Sequence, residues 1–184
     1  MKTLLLALTV LQSLFATLDQ KVFQSDITLS VSEMQSQPIS YSGKFTMQGE
    51  KFLVDIFNIH AAYDGSTLYV FSPDDDELTL SRPTKQQLYE NNPLLFAKAM
   101  ADACNITERT NQDGSFTVVL TPKDRSLGID RITVRLDAAK MPMSVEMKEG
   151  KKTTTLRFRN AKFIAKAPAF VLRPAVTTFV NDIR

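Results

Sequence analysis

The sequence predicts a mainly β protein of the α+β class, a curled antiparallel sheet or incomplete barrel of about 10–11 strands with a helical lid. Three observations support this. From Val22 onward apolar and polar residues alternate in most segments, which is the pattern of strands with one apolar and one wet face. Turn residues separate these segments at short intervals, as in a meandering antiparallel sheet. One stretch with helical periodicity, Pro93–Cys104, interrupts the alternation.

Length and composition indicate one globular domain. The chain has 184 residues, of which 43% are hydrophobic and 23% charged, close to globular averages. Its single Cys excludes an internal disulfide framework, and its single His, His60, excludes a site with several His ligands. No metal site or cofactor is therefore expected. The net charge of +2 gives no reason to expect nucleic-acid binding.

The N-terminal segment has two interpretations. Met1 and Lys2 precede an apolar run of roughly ten residues, the length of a signal-peptide core and too short for a transmembrane helix. With cleavage after Ala16, residues 1–16 are a signal peptide and residues 17–184 form one domain. The alternative is a folded amphipathic helix, because apolar residues recur at helical spacing. These residues are Leu4, Leu8, Leu11, Phe15 and Leu18.

Six strand segments precede the helical region. Asp64-Gly65 is a short hairpin signal between the fourth and fifth. The run Asp74-Asp75-Asp76 is interpreted as a solvated turn, since it lacks the spacing and glycine of a calcium loop. The segments are residues 23–31, 39–47, 52–56, 59–63, 67–71 and 78–80.

The helical region has two start signals. Thr84 with Gln87 fits a capping box, and Asn92-Pro93 places Pro at the first position of a second helix. The apolar stripe that follows consists of Leu95, Phe96, Ala99, Met100 and Ala103. Strand alternation returns in residues 116–120, 129–136, 143–147 and 153–164. Because a sheet this wide curls and cannot fill itself with its own side chains, the Pro93–Cys104 helix is expected on its inner side.

Four stretches of the chain, in order, resemble the periplasmic lipoprotein carriers of the lipoprotein-localisation (LolA-like) family. They are YSGKFTM at 41–47, YDGSTLYVFSP at 63–73, FTVVLTPK at 116–123, and the closing AKF at 161–163 with FVLRP at 170–174. The resemblance implies an incomplete barrel with helices across its open side and an apolar cavity between them. It also implies a monomeric, non-enzymatic carrier that shields lipoprotein acyl chains on their way to the outer membrane. Implied partners are acylated lipoproteins, an inner-membrane release complex and an outer-membrane acceptor.

The chain departs from this family at one position. Members often carry an Arg after the second strand that hydrogen-bonds the lid, and the nearest residue here is Gly49. The sister family of outer-membrane acceptors needs an acylated Cys near its start, and the only Cys here is Cys104. Two other functions stay open: a lipid-binding or envelope-sensing module on the same scaffold, and an enzyme with a cleft around His60.

Candidate binding residues follow from the predicted faces. Flexible Met side chains suit a cavity that must hold acyl chains loosely. The expected lining is Phe45, Met47, Phe52, Val54 and Ile56 from the sheet, with Leu95, Phe96, Ala99 and Met100 from the helix. Residues 121–184 hold 14 basic and 6 acidic residues. Their exposed strand face, with Arg157, Arg159 and Lys162, is a candidate docking surface for an acidic partner or anionic lipid.

Overall fold

Twelve strands form one curled, unclosed sheet in the computed structural model, which describes residues 9–34 and 36–184. The strand order is β12-β6-β5-β4-β3-β2-β1-β11-β10-β9-β8-β7, and β12 pairs with β6 in parallel. The strands are β1 (Val22–Glu33), β2 (Ile39–Gln48), β3 (Lys51–Ile56), β4 (Ile59–Tyr63), β5 (Leu68–Ser72), β6 (Glu77–Ser81), β7 (Cys104–Thr110), β8 (Phe116–Pro122), β9 (Arg131–Leu136), β10 (Pro142–Glu149), β11 (Lys152–Ile164) and β12 (Phe179–Asp182). The helices are α1 (Val10–Gln20), α2 (Lys85–Asn91) and α3 (Pro93–Met100).

The predicted fold class is confirmed, and the ten predicted strands are present. The two edge strands were not predicted. Six of the seven residues of β7 are exposed, so burial imposes no alternation on them. Strand β12 is four residues long and follows an irregular connection, so it carries little periodicity.

Strand register divides the side chains between a concave and a convex face. Phe23 lies opposite Met47, Met47 opposite Phe52, and Phe52 opposite Tyr63. Directly opposed residues share a face of the sheet, and all four are buried in the main core. This row therefore marks the concave face, and the residues between them point to the convex face.

Helix α1 lies across the open side of the sheet. Thr9 caps it in a capping box with Gln12. Glu108 of β7 accepts hydrogen bonds from the Val10 and Leu11 amides at 3.1 Å each. A carboxylate at this end of a helix is stabilised by the positive end of the helix dipole. Near its other end, the Gly49 amide donates to the Leu18 carbonyl at 2.8 Å.

The structure thus contains a packed helix at residues 10–20, the form that the second interpretation of this segment describes, and cleavage after Ala16 stays a prediction. The helix buries Leu11, Leu14, Phe15 and Leu18, three of them members of the predicted amphipathic stripe. Leu4 and Leu8 lie outside the described residues. Within the described part of the chain, none of the helices is long and apolar enough to cross a bilayer.

The starts of α2 and α3 are those predicted. Thr84 caps α2 in a box with Gln87. The Asn92 side-chain oxygen accepts from the Leu95 amide at 3.0 Å at the start of α3. The predicted helix end at Cys104 is wrong: α3 ends at Met100, a short 3₁₀ turn follows, and Cys104 pairs with Pro122 to begin β7.

Candidate functional site

The first half of the predicted lining is buried in a filled core. Phe45, Met47 and Phe52 of the sheet are no more than 2% exposed, and Leu95 of α3 is 3% exposed. They share one cluster with the buried side chains of α1. In this structure α1 and α3 therefore fill the space that the sequence assigned to an apolar hollow.

Four other residues of the predicted lining lie at the border of this core. Val54, Ile56, Phe96 and Met100 are half-buried and pack against the cluster. Ala99 is exposed, which corrects its predicted place in the lining. The buried positions of α3 are Leu94, Leu95 and Ala97, so the buried stripe is rotated relative to the one read from the sequence.

Beyond the helices the concave face continues as apolar surface. Val31 lies opposite Ile39, and Ile56 opposite Ile59. Ile39 is 59% exposed, Ile59 49% and Tyr41 36%. We call these five residues, Val31, Ile39, Tyr41, Ile56 and Ile59, the open end of the concave face. A solvent-facing sheet surface normally carries polar side chains, so this end resembles a binding surface.

Phe57 extends the open end at the β3–β4 turn. Its side chain is 69% exposed, and its ring centroid lies 5.1 Å from that of Tyr41. Its backbone is left-handed, with φ of 51°, which costs a residue with a Cβ about 1 kcal/mol or more. An exposed aromatic side chain is thus held at a strained position beside the apolar surface.

One buried polar atom near the site has no partner. The Asn92 side-chain amide nitrogen is the single buried side-chain N or O atom without a hydrogen bond among the described residues. Asn92 is fully buried at the junction of α2 and α3. An unsatisfied buried donor costs about 1–3 kcal/mol, so this nitrogen is available to an oxygen acceptor that enters the core.

Three contacts hold the C-terminal end of α1 in place of the family Arg. The Gly49 amide donates to Leu18, as described above, and the Gln48 side-chain amide donates to the Gln20 carbonyl at 3.3 Å. Asp19 of α1 forms an ion pair with Lys98 of α3. The side chains of this pair are 47% and 31% exposed, and such surface pairs contribute about 1 kcal/mol at most. The ion pair therefore adds little to the hydrogen bonds and to the burial of Leu18, which hold this end of the helix.

Two surface depressions lie away from the predicted hollow. One of about 530 Å³ lies at the C-terminal end of α1, lined in part by Val22, Phe163 and Ile164. Another of about 240 Å³ lies beside Asp26, Lys44 and Lys162.

His60 and Cys104 are placed in structural surroundings. The His60 ring contacts Phe71, and its Nδ1 lies 3.1 Å from an Asp55 carboxylate oxygen on the convex face. Burial raises the pKa of the Cys104 thiol, opposed by the charge of Lys123. No group of three possible metal ligands occurs among the described residues.

The predicted docking residues are exposed. Arg157 and Arg159 lie on the convex face, opposite in direction to the buried Leu156 and Phe158, and Lys162 is also exposed. Their role in docking stays a prediction.

We expect Met100→Glu to weaken the binding of a fluorescent fatty acid about tenfold, because it places a charge at the border of the apolar core. Ala99→Glu is the matched control, since the neighbouring side chain is exposed, and it should bind as the unaltered protein does. The measurement is a fluorescence titration of each folded variant. Unchanged binding by Met100→Glu would remove Met100 from the lining.

Comparisons with known proteins find one matching family model and several similar solved structures. The family model described as outer membrane lipoprotein carrier protein LolA matches residues 58–170. The crystal structure of an uncharacterized conserved protein from Thermus thermophilus has a TM-score of 0.61 at 10% identity, covering 94% of this chain and 96% of that chain. A LolA superfamily protein from Nitrosomonas europaea has a TM-score of 0.45 at 14% identity, covering 90% and 99%. No curated protein matches the sequence.

Proposed function

Because the chain belongs to the LolA family of outer membrane lipoprotein carrier proteins, we propose that it is a periplasmic carrier that shields lipoprotein acyl chains on the concave face of its sheet. The role is one of binding and not of catalysis. Acyl chains enter at the open end and extend toward the core, where they take the place of α1.

The continuity of the apolar face carries this proposal. The concave side chains stay apolar from the buried Phe45 and Met47 out to the exposed Tyr41 and Ile39 of the same strand. If the face served only to pack the helices, polar residues would be expected where the helices stop. An apolar path that begins in solvent and ends in the core suits a flexible alkyl chain.

Helix α1 is the element that an acyl chain would replace. Its four buried side chains contribute about 6–12 kcal/mol on the usual scale for such burial. An acyl chain of roughly 15 methylenes gains about 12 kcal/mol at most by the same rule. Since the two values are similar, exchange of helix for ligand is close to balanced. A carrier has to release its cargo, and near-balanced exchange permits release.

A Phe15→Trp variant tests whether the ligand displaces α1. The chain has no Trp, so the new indole reports this position alone. We expect it to be shielded from acrylamide in the free protein, because Phe15 is buried, and to become accessible when a synthetic triacylated lipopeptide is added. Phe71→Trp, on the convex face, is the control and should not respond.

The outcomes separate the alternatives. Binding of the lipopeptide with the indole still shielded would show that the ligand does not take the place of α1. Binding of palmitate with no binding of the lipopeptide would favour a module for free lipid on the same scaffold over a lipoprotein carrier.

A further inference from the structure

Three arginines lie in one row across the convex face. Arg109 of β7 is opposite Thr117, which is opposite Arg135 of β9. Arg135 is opposite Ser144, and Ser144 opposite Arg157 of β11. The row continues through hydroxyl residues on β1 and β2. We call Arg109, Arg135 and Arg157 the arginine row.

The positive charges of the arginine row are exposed and are not paired with acidic side chains of the described residues. All three residues are exposed, and none lies in an ion pair within the described part of the chain. Arg109 donates to the Asn111 side-chain oxygen at 3.2 Å and retains its other donors.

The carboxylates of adjoining positions are engaged elsewhere. Glu146 pairs with Arg131 at 3.7 Å, and Asp26 accepts from the Asn160 side chain at 2.7 Å. The guanidinium groups of the row therefore lack acidic partners among the described residues.

The spacing of the row specifies a ligand geometry. Neighbouring strands lie about 4.8 Å apart, so the backbones of arginines on alternate strands are about 9.6 Å apart, and the long side chains can adjust the spacing of the guanidinium groups. A polyproline II helix has three residues per turn and rises about 3.1 Å per residue, so every third side chain recurs on one side at about 9.3 Å. In a β-strand, by contrast, residues three apart point to opposite faces. The match therefore favours polyproline II over a strand.

We propose that the arginine row binds an acidic segment of a partner protein in polyproline II conformation, with a carboxylate at every third residue. Each carboxylate meets one guanidinium, whose planar fork suits bidentate recognition. The intervening Thr117 and Ser144 hydroxyls are placed to bond backbone carbonyls of the segment. A lipid surface explains the row less well, because anionic head groups diffuse in the membrane plane and require no regular interval between the arginines. This surface is separate from the acyl site and does not depend on the proposed carrier function.

The test compares two peptides of the same composition. One repeats the triplet Glu-Pro-Pro, and the other has all its glutamates together followed by all its prolines. We expect the full-length protein to bind the triplet peptide more tightly in fluorescence anisotropy. Arg109→Gln, Arg135→Gln and Arg157→Gln combined should weaken that binding about tenfold. A matched control removes three exposed charges elsewhere, with Lys85→Gln, Lys166→Gln and Arg173→Gln combined, and should change the binding less than about twofold.

Two results would overturn the proposal. Equal affinity for the two peptides, or equal losses in the two triple variants, would reduce the effect to net charge. Binding to phosphatidylglycerol vesicles that depends on the arginine row, with no preference for the triplet peptide, would identify a membrane surface as the occupant instead. Circular dichroism of the variants checks that each is folded.

Discussion

Removal of residues 1–16 is expected to unfold the protein or leave it barely stable. The deletion takes away Leu11, Leu14 and Phe15, all buried in the core. Truncating one large core side chain costs about 2–5 kcal/mol, so losing three exceeds about 6 kcal/mol, comparable with the whole stability of many domains. The deletion also removes the amides that Glu108 binds. The remaining 17–20 stretch is too short to stay helical alone.

Urea unfolding followed by circular dichroism measures this effect. Removal of residues 1–8 is the control, because it leaves the Thr9 cap and all of α1 in place, and it should lower the midpoint less than removal of residues 1–16 does. A protein lacking residues 1–16 that stays folded and binds acyl chains more tightly would support the opposite interpretation. Residues 1–16 would then be a signal peptide, and the mature protein would have a hollow where α1 now lies.

Replacing Gly43 with alanine is expected to cost about 4 kcal/mol or more, a loss in the exceptional range for one substitution. A Cβ at this position would lie 2.0 Å from the Asp55 carbonyl oxygen and 2.8 Å from the Ile56 Cα. Both are backbone atoms of β3, so no side-chain rotation relieves the overlap. Strands β2 and β3 would have to separate where the concave face leaves the core.

Gly114→Ala is the comparison for this prediction. Its Cβ would make an ordinary contact, 3.5 Å from the Ala138 Cβ, and the cost comes from its φ of +79°. We expect a loss of about 1 kcal/mol there. Equal midpoints of the two variants in chemical denaturation would mean that β3 shifts easily, contrary to the expectation for Gly43.

Sequence patterns predicted the strands because one face of each is buried. Alternating residues such as Ile39, Tyr41, Gly43, Phe45 and Met47 identify directly which face of the strand is apolar. Hairpin turns can also be predicted, because they depend on residues close together in the sequence. Asp64 shows this: its carboxylate accepts from the Ser66 and Thr67 amides at 2.8 Å each. These bonds and one from Tyr69 lower its pKa, although burial acts to raise it.

The sequence patterns do not predict what covers the concave face. Periodicity shows that Phe45 and Met47 face inward, but it does not show whether a helix or an empty space lies above them. The apolar run of residues 3–11 fits both a signal-peptide core and an amphipathic helix. The contacts of α1 with β7 and the β2–β3 turn are not encoded in that local pattern. Ala99 was misplaced because a broad apolar stripe on a short helix does not specify its rotation.

The two unpaired edges of the sheet, β7 and β12, have a consequence for cargo size. The circumference of a closed barrel is fixed by its number of strands and their stagger, whereas this sheet is open between β7 and β12. Its gap can widen or narrow by small changes in curl while every ladder between neighbouring strands stays intact. A change in curl alone would therefore alter the interior volume, which would let the proposed carrier accept cargoes with different numbers of alkyl tails.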